Sequence, residues 1–245
     1  MKQLKLIGFM LVMIAITQLT GQAKAQQPTA VTQGLSGKER SIIAISSLTA
    51  KGQLEKLKTE LNTGLDAGLT VNEIKEILVH CYAYCGFPRS IRGLQTLMKV
   101  MEERKEKGIE DNLGKEASSI TSNSSKYERG KKILGELTGI PQSEKLTGYS
   151  AFAPIMDNFL KEHLFADIFE RDILTYAQRE LVTISVISAI GDAEPMLQSH
   201  LAISLKIGIS AVQLKEFIEV IQSKVGEKEA SSARKVLDQV LKSEK

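Results

Sequence analysis

A chain of 245 residues with no tryptophan and a formal net charge of +3 has room for one or two domains with a real core. Lys2, Lys5 and Lys24 carry that whole excess, so the chain beyond Ala25 is neutral, which excludes the basic footprint of a nucleic-acid binder. Two cysteines and three histidines, none at the spacing of a tetrahedral site, exclude a structural zinc centre and leave no metal or cofactor motif to read.

Residues 1–25 read as a secretory signal peptide: Lys2 and Lys5, an apolar run from Leu6 to about Ile16, and a small-x-small site at Ala23-Lys24-Ala25. The run is shorter than the roughly 20 residues of a membrane span. The expectation is an exported protein, periplasmic or secreted, with no stable span after cleavage. Ser36 with Glu39 is a capping box that opens a helix to about Ala50, which Gly52 breaks. Leu54, Leu57, Leu61 and Leu65 have helical spacing over residues 53–67, and Gly68 follows as a C′ glycine. Thr70 with Glu73 caps the next helix, with Ile74, Ile77 and Leu78 inward. Gly86-Phe87-Pro88 ends it and starts another over residues 89–107. Residues 108–126 read as a polar linker. A short amphipathic helix over 127–137 and one or two helices over 152–169 come next. Thr175 with Gln178 caps the helix that holds Glu180, residues 191–195 form its turn, Ser210 with Gln213 caps a helix to about Lys224, and residues 228–241 close the chain. No alternating segment of useful length appears, so the fold class is all-α.

The two ends repeat each other. An offset of 141 pairs Glu39, Ile43 and Ser47 with Glu180, Ile184 and Ser188. An offset of 140 then pairs Leu57, Leu61, Leu65, Gly68 and Thr70 with Leu197, Leu201, Leu205, Gly208 and Ser210, and reaches Gly86 against Gly226. Two like units packed together follow: residues 26–107 and 127–245 about the linker.

Glu180 shares a stripe with Ile184 and Ile187, and His200 lies beside Leu197 and Leu201 on the next helix. The turn folds the two faces together. A carboxylate receiving an imidazole N–H would fix its tautomer and let it move protons near neutral pH; the same pattern also fits a boundary histidine that does no chemistry. In the first copy Glu39 reads as the partner of Ser36, and Glu60, at the place of His200, as a solvated residue. His80 and Tyr84 share one helical face, as do Cys81 and Cys85. A disulfide four residues apart would be strained, and a thiolate would need a cation such as Arg89 or Arg92. Both cysteines fit equally as small buried hydrophobes. His163, among phenylalanines, reads as packing or an interface.

The segments LTAKGQLEKLKTELNTGLDAGLTVNEIKEILVHCYAYCGFPRS, FLKEHLFADIFERDIL and RELVTISVISAIGDAEPMLQSHLAISLKIGIS resemble carboxymuconolactone decarboxylase-like proteins, which share the all-α fold of alkylhydroperoxidase D. The resemblance implies two such units in tandem. It also implies one of two chemistries: cofactor-free decarboxylation of a small lactone-bearing acid, or a peroxidase reaction at a CxxC dithiol helped by a glutamate and a histidine. Glu180 and His200 fall at that glutamate and histidine. The dithiol places fall near Asp192 and Pro195, and near Lys51 and Leu54, without a thiol in either copy. Cys81 and Cys85, with three residues between them, do not replace that motif but remain the redox candidates. His80 falls where decarboxylase-type members carry a histidine; Val220 takes that place in the second copy. Such a chain is expected to act on a small organic acid or lactone, with Glu180, His200, His80 and Tyr84 as the catalytic set, and to form a homo-oligomer, a trimer being the ring expected of a tandem chain. A thiol peroxidase and a non-catalytic binding protein are the alternatives.

Overall fold

The computed structural model describes residues 34–243; the signal-peptide segment lies outside them. Among the described residues there are helices and no strands. In chain order they are α1 (Gly37–Lys51), α2 (Leu54–Asp66), α3 (Val71–Glu106), α4 (Lys126–Thr138), α5 (Gly148–Phe152), α6 (Pro154–Asn158), a π-helix (Phe159–Phe169), α7 (Tyr176–Ile190), α8 (Glu194–Lys206), α9 (Ala211–Lys224) and α10 (Glu227–Ser243). α3 is two helices joined at Gly86, whose φ of 79° and ψ of 162° leave helical space just before Pro88.

Four capping boxes fix the starts of the paired helices. Ser36 and Glu39 open α1, Thr175 and Gln178 open α7, Thr70 and Glu73 open α3, and Ser210 and Gln213 open α9. Each closes two otherwise orphaned backbone donors. These caps correct the sequence register. Glu39 and Gln178 occupy the same third position of their helices, so α1 and α7 run at an offset of 139, not 141. The residue opposite Glu180 is therefore Ser41, not Glu39. The turn after α7, Gly191 to Ala193, has one residue more than Gly52-Gln53 after α1, which restores the offset of 140 for α2 against α8. Asp192, in that longer turn, takes a left-handed φ of 54°.

α1 and α7 are the centre. From Ser41 to Ala50 and from Arg179 to Ala189 every residue is buried, as expected of helices that neighbours cover on all sides. Their hydroxyls close back on the preceding turn: Ser46 donates to the Ile42 carbonyl at 2.7 Å, Thr49 to Ile45 at 2.7 Å and Ser185 to Leu181 at 2.5 Å. α1 and α7 pack on each other. α1 also packs on α9, and α7 on α3. That reciprocity is what a pseudo-twofold between the two units requires. On α2, Leu57, Leu61 and Leu65 face the core, each worth about 1.5–3 kcal/mol of burial; Leu197 and Leu201 do the same on α8.

The segment between α3 and α4 is pinned. Arg104 grips Asp111 at 2.8–3.1 Å through two nitrogens, Val71 N–H donates to the Asn112 carbonyl at 3.0 Å, and Asp172 accepts from Ser118 and Lys115. α4 then packs on the π-helix so closely that a Cβ on Gly130 would meet the Lys161 carbonyl oxygen at 1.7 Å. Asp157, Lys161 and Tyr127 form a half-buried triad at 2.7–2.8 Å beneath that crossing. The helices expected over residues 152–169 are thus two short α-helical turns and a long π-helical run.

Reciprocity reaches individual ion pairs. Arg179 of α7 bonds Glu76 of α3 at 2.7 Å, and Arg40 of α1 bonds Glu216 of α9. The first pair is buried and the second open to water. Arg179→Ala should cost about 3–5 kcal/mol, whereas Arg40→Ala should cost about 1 kcal/mol or less. Equilibrium denaturation of the two variants checks this; equal losses would show that the burial difference does not govern the pairs.

A candidate acid–base site in the second unit

The turn between α7 and α8 brings Glu180 and His200 together. Glu180 Oε2 lies 2.8 Å from His200 Nδ1. Glu180 is fully buried, while the His200 side chain keeps 16% of its surface open. An ionised carboxylate only accepts, so the contact is an N–H···O bond from Nδ1, and in the neutral ring the lone pair then falls on Nε2. Nε2 has no protein partner among the described residues. The second oxygen, Glu180 Oε1, is buried and unpaired.

α3 forms the opposite wall. Glu76, His80 and Tyr84 follow at intervals of four and share one face. The Tyr84 ring stacks on His80 at 5.5 Å and meets His200 edge-on at 5.9 Å. Its hydroxyl is buried with no hydrogen-bond partner. Burial first, and the Glu180 charge second, push the Tyr84 phenol well above its ordinary range, so it stays a neutral O–H. The π-helix closes the back: Phe169 lies 5.1 Å from the His80 ring. α4 and the π-helix pack Leu137, Leu164, Phe165 and Phe169 with Tyr84, with Ile203 of α8 and with Ile207 just past its end.

Behind this wall runs a charged chain that the sequence reading passed over. Arg179, fully buried, donates to Glu76 at 2.7 Å, to the Arg171 carbonyl at 2.7 Å and to His80 Nδ1 at 3.2 Å. Arg171 also holds Glu76, through Nε at 3.0 Å to both oxygens. His80 Nε2 lies 2.9 Å from the Thr183 hydroxyl. Burial first, then the Arg179 charge, hold His80 well below the ordinary imidazole range. The signal that could have found these residues was an arginine and a glutamate inside otherwise apolar helical faces.

The equivalent positions around α1 and α2 carry a different set: Ser41 for Glu180, Glu60 for His200 and, from α9 of the second unit, Val220 for His80 and Lys224 for Tyr84. Glu60 is not solvated as expected; it is 9% exposed and accepts from Lys224 at 2.6 Å. These residues line an open cavity of about 350 Å³ with Arg40. None of them is an imidazole.

Cys81 and Cys85 are both free thiols. Cys85 donates to its neighbour's carbonyl, Cys81 O, at 3.1 Å. Burial pushes the Cys81 thiol well up, and pushes Cys85 up to about 11 despite the nearby Arg89 charge. His163 sits on the surface, 3.1 Å from Asp167 and tilted against Tyr82 at 5.5 Å.

Residues 12–97 and 154–239 match the model of the Carboxymuconolactone decarboxylase family. The first range begins inside the stretch read as a signal peptide, and the inserted α4 falls between the two. The 4-carboxymuconolactone decarboxylase of Acinetobacter baylyi is 31% identical over 70 residues, which is 29% of this chain and 52% of that protein. The chain thus spans about half the length of the curated relative it matches. With two matched ranges that together span well over half of its length, each corresponding to one helical unit, the chain belongs to the carboxymuconolactone decarboxylase family.

Proposed function

We propose that the second unit performs cofactor-free acid–base chemistry on a small organic acid or lactone, and that decarboxylation is the reaction it suits best. The observation that carries this reading is the 2.8 Å contact between Glu180 and His200, with Nε2 left free beside the buried, unpartnered hydroxyl of Tyr84. A carboxylate on carbon conjugated to a lactone carbonyl can leave as CO2, its C–C bonding electrons passing to the carbonyl oxygen as an enolate. Tyr84 O–H donates to that oxygen as charge develops. His200 takes a proton from water at Nε2, and the imidazolium so formed, stabilised by the Glu180 carboxylate, delivers that proton to carbon. His80, neutral and fully buried, packs against Tyr84 and has no direct proton-transfer role in this scheme.

A screen of small lactone-bearing carboxylic acids for CO2 release tests the reading. Glu180→Gln and His200→Ala should each cut turnover by roughly 100-fold or more with helicity intact, and the double variant should lose little beyond the worse single one. Turnover that survives His200→Ala would sink the proposal.

The thiols support the peroxidase alternative poorly. With a pKa of about 11, Cys85 holds only about one thiolate in ten thousand at pH 7. Its alkylation should be slow at neutral pH and quicken about tenfold per pH unit towards 11, with Cys81 protected until the chain unfolds. Rapid loss of both thiols to peroxide at pH 7, measured by thiol titration, would revive the redox reading.

Homo-oligomerisation and export belong to the same proposal. Phe152 is 93% exposed, and Tyr149, Ile155, Met156 and Phe159 lie beside it on the surface; an apolar run of this kind supports burial against another copy. Light scattering at micromolar concentration should show an assembly, a trimer on this reading; a stable monomer would contradict it.

A further inference from the structure

The charged chain behind Tyr84 has a direction. Arginine only donates hydrogen bonds, so the 3.2 Å contact makes His80 Nδ1 the acceptor. The neutral ring then carries its proton on Nε2 and donates it to Thr183 Oγ1 at 2.9 Å. With its oxygen thus accepting, the Thr183 hydroxyl has a hydrogen to give. Tyr84 stacks on that His80 ring at 5.5 Å, and its own hydroxyl has no hydrogen-bond partner among the described residues. Across the site stands the second proton carrier, His200, with its lone pair on Nε2.

We propose that Arg179, anchored by Glu76, is a positioning residue that fixes the tautomer of His80 and the direction of its bond to Thr183, and thereby holds the ring on which Tyr84 stacks beside the site. The four residues sit at regular places: Glu76 and His80 are one turn apart on α3, with Tyr84 one turn further, and Arg179 and Thr183 are one turn apart on α7. Each helix comes from a different unit, so the chain crosses between them three times. The first unit lacks the device, because Val220 and Ala44 replace His80 and Thr183 while the ion pair itself persists as Arg40 with Glu216. The inference rests on the acid–base reading of the site, but its test needs no substrate, so the two fail separately.

The test is long-range 1H–15N correlation of the full chain labelled in histidine, at neutral pH. His80 should be protonated at Nε2 and bare at Nδ1. In Arg179→Gln, whose amide can both donate and accept, His80 should become a mixture of tautomers. In Thr183→Val the tautomer should hold while the Nε2 proton moves upfield, and Thr183→Ser should restore it. Wild-type His80 protonated at Nδ1, or mixed, would overturn the proposal, as would an Nε2 proton indifferent to Thr183→Val. If Arg179→Gln does not fold, the wild-type tautomer and the Thr183 pair still decide.

Discussion

The buried ion pair between Arg179 and Glu76 is the constraint from which the site follows. A guanidinium with no exposed surface has given up its hydration, and a set of buried acceptors must offset that loss for all but its unpaired Nε–H. Glu76, the Arg171 carbonyl and His80 supply it. Because α7 brings the arginine and α3 the glutamate, the two units cannot separate or slide without exposing an unpaired charge. The same bonds hold His80, and His80 stacks on Tyr84. Site geometry and the contact between the units are therefore one problem solved by one set of bonds.

Duplication supplied the scaffold twice, and the side chains then diverged. Each unit places a residue on its second helix across from one on the other unit's third helix: His200 with Tyr84, and Glu60 with Lys224. One locus became an imidazole against a phenol, the other a lysine–glutamate pair. The segment ahead of α7 sharpens the difference. Its π-helix places Phe169 against His80, and its apolar face lies on Tyr84 and α8. The wider backbone of a π-helix is uncommon and is often found at functional sites. Among the described residues the first unit has no such cover, and its locus is an open cavity.

Much of this was legible because local physics writes itself into local sequence. Capping boxes and leucine spacing located the helix starts, since a cap must sit where backbone donors are orphaned. The register of the repeat was misread where the ruler was letter identity: Glu39 and Glu180 are the same residue type in different positions, whereas Ser36 and Thr175 differ in type but do the same job. Glu60 looked solvated because its partner, Lys224, is distant in sequence. The chain through Arg179, His80 and Thr183 was illegible for the same reason, as each bond joins helices from different units. The π-helical run gave no signal in apolar spacing, and only the close approach at Gly130 explains how it is held.

The central claim is that a carboxylate holds the His200 imidazole with its lone pair turned to the site. Proton NMR of the folded chain measures it most directly. The account predicts His200 protonated at Nδ1, with a downfield, slowly exchanging proton that disappears in Glu180→Ala. A His200 protonated at Nε2, or an Nδ1 proton that exchanges as freely as an exposed one, would contradict it.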